Sequence, residues 1–315
     1  GQVLKLARWR AQPPAVHQPL DLTHLHPDVH AVAGLPAAER ITRIRADRWI
    51  GYPKAMEAVD KLETLLAWPR KQRMPNLLLV GPTNNGKSMI IEQFRRRHLP
   101  VMEADREHIP VVSIQMPSEP SSLRFYTAIL AALGAPVGPR RRLVDLEQLV
   151  LRLLCEVGAK ILVIDELHNI LAGRGDKRRE CLNLLRFLGN ELRIPVVGVG
   201  TREAYLAVRS DDQLENRFEP YILPLWEAGE QTRSLLASFA ASFPLRRRSV
   251  IDTEDMMTYL LARSEGTIGE LAHLLTSAAV VAVDSGVEAI NQKTLAITDY
   301  VGPTQRRRLF ERELL

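Results

Sequence analysis

Two kinds of hydrophobic spacing alternate along the first two thirds of this chain. Short apolar runs, Leu77-Leu78-Leu79-Val80, Val111 to Met116, Lys160 to Ile164 and Pro195 to Gly200, show no consistently polar face and predict buried strands. Between them, apolar residues recur at helical spacing. Ala55, Val59, Leu62, Leu65 and Leu66 share one face of Lys54–Trp68, and further helices are expected from Met89 onward and over Ser121–Leu133, Leu143–Val157 and Lys177–Leu192. Gly134, Gly158 and the Gly173–Gly175 stretch punctuate them. Strands alternating with helices predict an α/β fold with a parallel, doubly wound sheet flanked by helices. Beyond Pro224 no strand pattern is evident, and Gly229–Phe243, Thr253–Ser264, Gly269–Val283 and Asn291–Asp299 predict four short helices, a small lid. Residues 1–40 are rich in Pro and His with little periodicity and read as an extended arm with room for short helices. The expected organisation is an N-terminal extension (1–49), a nucleotide-binding α/β core (50–226), a helical lid (227–300) and a basic tail (301–315).

The first predicted strand runs into Gly81-Pro82-Thr83-Asn84-Asn85-Gly86-Lys87-Ser88, which fits the spacing G-x-x-x-x-G-K-[ST], and a helix pattern follows at once. That setting is what gives the motif its meaning. Loop N–H groups and the positive end of the helix attract phosphates, and Gly86 lets the backbone approach them closely. Lys87 is expected on the β- and γ-phosphates of ATP, and the Ser88 hydroxyl on Mg²⁺. A later strand ends in Asp165-Glu166. Asp165 suits the Mg²⁺ site and Glu166 the polarising of an attacking water, which favours hydrolysis over simple phosphate binding. The alternative for an acidic pair after a strand is an ordinary helix start that favours negative charge.

Composition changes this picture little: 46% hydrophobic and 25% charged residues are ordinary for a globular protein. No apolar run approaches the length of a membrane span, and no secretory signal pattern opens the chain, so no membrane partner is expected. Two cysteines, Cys155 and Cys181, both in predicted helices, fit a reducing cytoplasm better than a disulfide framework. Charge says more. The net charge is +5, and arginines form four triplets, at 95–97, 140–142, 246–248 and 306–308. Each is a solvated face or part of a nucleic-acid surface. His98 and His168 read as helix-end or surface groups, and no Cys/His cluster has metal-site spacing.

The phosphate loop, the Asp-Glu strand end, a fourth strand ending at a polar residue and the helical lid together resemble the AAA+ P-loop ATPases. In that resemblance Thr201 takes the place of the sensor-1 residue that orients water. Arg217 takes that of an arginine finger reaching a neighbouring subunit's nucleotide, with a surface ion pair as the alternative. Ile50-Gly51-Tyr52 resembles the adenine-side linker, with a plain turn as the alternative. One departure stands out: Glu270, in Gly266-Thr267-Ile268-Gly269-Glu270, occupies the place where many members carry a sensor-2 cation.

More closely, the chain resembles the TniB/TnsC-type ATPases of bacterial transposons, over roughly Ile41 to Val283. The resemblance is carried by Ile44 to Pro53, Met74 to Val80, Asn84-Asn85-Gly86-Lys87, Gly198 to Arg202 and Gly266 to Gly269. It implies an ATP-dependent regulator that forms a homo-oligomer on double-stranded DNA. Its implied partners are a transposase and a target-site selector of the TniQ type, in the bacterial cytoplasm, with ATP and Mg²⁺ as cofactors. The DNA contacts it implies fall near Arg124 and on the Arg140, Arg141 and Arg142 triplet. Competing readings are a non-hydrolysing ATP-dependent scaffold, an origin-recognition-like DNA loader (too little chain follows Asp299 for the usual winged-helix domain) and, least favoured, a small-molecule kinase.

Overall fold

A computed structural model describes residues 19–135, 138 and 141–314. Their order is α1 (His30–Ala33), α2 (Ala37–Arg45), α3 (Pro53–Leu66), β1 (Asn76–Val80) and α4 (Lys87–Arg96), then β2 (Val101–Glu103), β3 (Arg106–His108), β4 (Val111–Gln115), α5 (Ser122–Ala132) and α6 (Leu143–Glu156). Next come β5 (Ile161–Asp165), a 3₁₀ turn (Leu167–Ala172), α7 (Gly175–Leu192), β6 (Val196–Gly200), α8 (Arg202–Arg209), α9 (Asp212–Glu215) and β7 (Phe218–Ile222). Five helices follow: α10 (Glu230–Ser242), α11 (Glu254–Ser264), α12 (Ile268–Asp284), α13 (Gln292–Ala296) and α14 (Pro303–Leu314).

The main sheet is parallel, in the order β4-β5-β6-β1-β7. Alternation within β1 shows why its strands read as unbroken apolar runs. Leu77 and Leu79 pack into a core shared with α3, α4 and the lid, while Leu78 and Val80 join the core under α5, α6 and α7. Both faces are covered, so both sets of side chains must be apolar. Every strand of this sheet therefore points its C-terminal end to one edge, where the β1–α4 loop, the end of β5 and the end of β6 meet.

The structure adds elements that the hydrophobic pattern did not announce. Phe218-Glu219-Pro220-Tyr221-Ile222 is a fifth parallel strand, paired with β1. Pro220 conceals it from a pattern search, but β7 is an edge strand, where a missing N–H is tolerated. The β2–β3 hairpin has strands of three residues each, too short and exposed to register as periodicity. The region expected as a basic tail forms α14, which buries none of its residues. Its start is held from the side: the Thr304 N–H and hydroxyl both donate to the Glu265 carboxylate.

The described part of the N-terminal region carries α1 and α2 and is bound to the lid. His24 Nε2 lies 2.9 Å from the Leu245 carbonyl, the His26 N–H donates to Ala241, and Arg246 Nε donates to Ala33. Arg40, only 3% exposed, donates two 2.7 Å hydrogen bonds to Glu288 and one to the Pro244 carbonyl. Burial alone would raise the Glu288 carboxyl, but the bonds from Arg40 and from the Arg246 N–H outweigh it and hold it below the usual carboxylate range.

Arg40→Ala should destabilise the fold by about 3–5 kcal/mol, because it strands a buried carboxylate. A depressed folded-state pKa contributes stability above the ordinary carboxylate value, and that contribution is lost as pH falls through the folded value. The gap in melting temperature between parent and variant should therefore narrow in acid; a gap that is absent at neutral pH counts against the buried pair.

Candidate nucleotide site

The β1–α4 loop is built around two left-handed residues, Asn84 (φ 60°) and Gly86 (φ 91°), which turn the chain so that Lys87 begins α4. Lys87 Nζ donates to the carbonyls of Gly81 (2.7 Å) and Pro82 (2.6 Å). Burial pulls this ammonium below its ordinary value, partly countered by the nearby carboxylates of Asp165 and Glu166. Ser88 Oγ lies 3.5 Å from Asp165 Oδ2, and the Glu166 N–H donates to Asp165 Oδ1 at 2.8 Å. One hydroxyl and one carboxylate on facing elements fit Mg²⁺, which keeps water and phosphate oxygens in its other positions.

These groups form one end of a cavity of about 480 Å³, a size suited to a nucleotide. Thr83, Asn84, Asn85, Gly86, Lys87, Ser88, Asp165, Glu166 and Thr201 line it; Gly81 and Pro82 contribute the carbonyls behind Lys87. The other end is apolar and comes from two distant parts of the chain: Trp49, Ile50 and Tyr52 before α3, and Phe239, Ile268 and Ala272 from the lid. Tyr52 meets Trp226 edge-on with centroids 5.0 Å apart, and burial pushes its hydroxyl up to about 12. Gly51 does not line the cavity; it joins the two linker residues that do. Arg48, whose guanidinium lies 4.1 Å from the Phe243 ring centroid and which falls in the Ile44 to Pro53 stretch of the resemblance, also lines this end, as do His273 and Thr276 of α12, which no motif marks.

The lid helix α12 is docked directly on the phosphate loop. Its first N–H groups bond to the twin asparagines, Ile268 N–H to Asn85 Oδ1 (3.1 Å) and Gly269 N–H to the Asn84 carbonyl (2.9 Å). Asn85, 1% exposed, turns its amide to the carbonyls of Leu223 (3.1 Å) and Pro224 (2.9 Å), which lead from β7 into the lid. One side chain thus joins three segments. Gly269 permits the close approach, since a Cβ there would sit 1.9 Å from Asn84 Oδ1.

Glu270 gains a different meaning from this docking. Its carboxylate accepts from Tyr300 (2.7 Å), from Arg306 of α14 and, at 3.4 Å, from Asn84 Nδ2. Burial acts to raise it, yet the bonds from Tyr300 and Arg306 and the Arg306 charge leave it lowered. It does not line the cavity. Glu270 therefore links the phosphate loop to α14 rather than placing bare negative charge beside the phosphate end.

Of the catalytic candidates, Glu166 and Thr201 come together and Arg217 does not. Glu166 (φ 54°, ψ 36°) presents Oε2 to His168 Nε2 at 2.8 Å, and the Thr201 N–H donates to His168 Nδ1 at 3.4 Å. The Thr201 hydroxyl donates to Glu203 at 2.6 Å. His168, read from sequence as a helix-end or surface group, stands inside the site. Arg217 precedes β7, at the N-terminal edge of the sheet, where its carbonyl accepts from the Asn76 N–H. A five-residue strand separates it from the phosphate loop, about 15 Å, and its Nη1 donates to Asn190.

The expected DNA-binding arginines lie elsewhere. Arg124, in the first turn of α5, pairs with Glu119 at 3.2 Å; Arg141 and Arg142 are exposed just before α6; Arg140 lies outside the described residues. Among the described residues no cluster of three His, Cys, Asp or Glu side chains has a metal-binding arrangement, and no single helix is long and apolar enough to cross a membrane.

The family model described as "Bacterial TniB protein" matches residues 40–228, more than half of the chain. The chain belongs to the TniB family. No curated protein matches it. Among solved structures it is similar to the Aeropyrum pernix ORC1 protein in complex with DNA (TM-score 0.58, 16% identity, 85% of this chain and 69% of that one). It is also similar to the Aeropyrum pernix ORC2 protein in ADPNP-ADP complexes (0.55, 15%, 82% and 71%) and to Drosophila ORC bound to DNA (0.53, 13%, 93% and 69%). At such identities the likeness speaks for the AAA+ fold. Family and fold together make this TniB chain an AAA+ ATPase.

The lid docking is open to test. Asn85→Ala leaves a buried N–H and two carbonyls without their partner, at about 1–3 kcal/mol for each group left unpaired. A lower melting temperature and weaker ATP binding are expected, whereas parent-like values for both would mean that Asn85 does not hold the lid.

Proposed function

We propose that this TniB ATPase assembles on double-stranded DNA in its ATP-bound form, recruits a transposase there, and uses slow hydrolysis to disassemble. The observation that carries the oligomeric part is the separation of Arg217 from its own phosphate loop by the length of the sheet. An arginine so placed has no route to its own nucleotide, but it can reach one bound by a neighbouring copy. Supporting the DNA partner are the exposed Arg141 and Arg142 and the net positive charge. Membership of the TniB family supports a transposase and a TniQ-type selector as the further partners.

In this reading Lys87 exchanges its loop carbonyls for the β- and γ-phosphates, while the α4 N-terminus and loop N–H groups surround the remaining oxygens. Ser88 and Asp165 hold Mg²⁺, which when bound neutralises charge on the transferred phosphoryl group. Glu166 orients and polarises the attacking water, and Thr201 fixes the β6 end against it. Trp49, Ile50 and Tyr52 enclose the base together with the lid.

A shared site has a direct signature. Lys87→Ala should lose ATP binding, and Arg217→Ala should bind ATP as a monomer but hydrolyse far more slowly, since arginine fingers contribute about 10³–10⁵ in rate. Mixing the two variants should restore part of the turnover, because each supplies what the other lacks. Absence of any recovery on mixing would count against a site completed by a second copy.

The DNA surface should act on the backbone rather than on bases, because arginines in a loop lack the rigid presentation that base readout uses. Replacing Arg141 and Arg142 by Ala should weaken binding to two unrelated duplexes about equally. It should also reduce the slope of log affinity against log salt by roughly 0.9 for each lost phosphate contact. A slope that stays at the parent value would assign both arginines to a merely solvated face.

A further inference from the structure

His168 is a side chain in the phosphate end of the cavity to which the motifs assign no role, and it bridges two groups that they do assign. Its two ring nitrogens have different partners. The Thr201 N–H can only donate, so Nδ1, 3.4 Å away, is the acceptor and carries no proton. The ring proton then sits on Nε2, which lies 2.8 Å from Glu166 Oε2.

The ring has little freedom to leave this position. A Cβ at residue 200 would lie 3.0 Å from His168 Nδ1 and 2.7 Å from the Ala204 methyl, so Gly200 provides the space into which the imidazole fits. The turn that carries His168 is anchored on the opposite side as well, since Asn169 Nδ2 donates to the Met116 carbonyl at 2.9 Å. Residues 168 and 169 thus tie the turn after β5 to the ends of both strands that flank β5, namely β6 and β4. Glu166, by contrast, is exposed at its side chain and has a left-handed backbone. Nothing on its own segment meets its carboxylate except the Nε2 of His168. The Thr201 hydroxyl, the group expected to act there, is engaged by Glu203.

We infer that His168 is a positioning residue for ATP hydrolysis, an imidazole that orients the Glu166 carboxylate through the close Nε2–Oε2 contact while Nδ1 accepts from the Thr201 N–H. With Oε2 occupied, Oε1 is the oxygen left to polarise water. The same ring carries the position of the β6–α8 junction to that carboxylate, so a shift of one moves the other. This inference rests on the reading of Glu166 as the water-polarising group.

The test is steady-state ATP hydrolysis by the full chain, with nucleotide affinity and thermal melting measured on the same preparations. His168→Asn keeps an amide near the place of Nδ1 but does not reach Glu166, whereas His168→Gln brings an amide N–H to the place of Nε2. His168→Asn should lower kcat by about 10²-fold, the scale of an approximately 1 Å misplacement of a reacting group, with KM and ATP affinity unchanged. His168→Gln should restore most of kcat. In a Glu166→Gln background, His168→Asn should add no further loss, because it acts only through the residue already removed. Parent-like kcat in His168→Asn, a change confined to KM, equal loss in the Asn and Gln variants, or a fully additive double variant would each overturn the inference. If Glu166→Gln alone hydrolyses ATP at the parent rate, the reading of Glu166 fails first and the role of His168 falls with it. That pattern differs from a slow Glu166→Gln beside a normal His168→Asn, which rejects His168 alone.

Discussion

The docking of a lid helix onto the phosphate loop is the contact on which the rest of this structure depends. A helix N-terminus has N–H groups with no partner inside the helix, and burying it needs acceptors from elsewhere. Here the acceptors are Asn84 and Asn85, in the loop that the phosphates would occupy. Asn85 satisfies acceptors of one other segment and a donor of a second while fully buried, a position in which any unpaired group is costly. The apolar wall of the cavity follows from this contact, because Ile268 and Ala272 of α12 are part of it.

Charged pairs carry the assembly outward from there. Glu270 joins Asn84 to Tyr300 and Arg306, and Glu265 holds the first residues of α14. On the other side Arg40 and Glu288 fasten the N-terminal helices to the lid. The lid is therefore linked at one end to the phosphate loop and at the others to both terminal regions. The carboxylate at position 270 does not line the cavity and is engaged by Tyr300, Arg306 and Asn84.

Polarity of the parallel sheet places the candidate residues on two edges. Lys87, Ser88, Asp165, Glu166 and Thr201 lie at or just beyond the C-terminal ends of β1, β5 and β6, and ligands of open α/β sheets bind on that side. Arg217 lies at the N-terminal edge, beside the start of β1. The separation follows from β7 being parallel to β1: the residue before β7 must emerge where β1 begins.

Local sequence determined what depends on short-range spacing. The phosphate loop, the acidic strand end and the apolar strands are legible because their residues are adjacent in the chain, and burial on both faces of the sheet leaves unbroken apolar runs. Tertiary structure decided what depends on residues far apart or on packing against weak patterns. β7 carries a proline that only its edge position explains, and α14 buries nothing and is held by carboxylates of the lid. The twin asparagines read as a family signature, but their purpose needs Ile268 and Gly269, more than 180 residues on. His168 looked like a surface group because its two partners, Glu166 and the Thr201 N–H, meet only where β5 and β6 run side by side. Spacing along a chain can announce a loop that binds phosphate; which side chain holds which is fixed by hydrogen-bond geometry, and that exists only once the strands are paired.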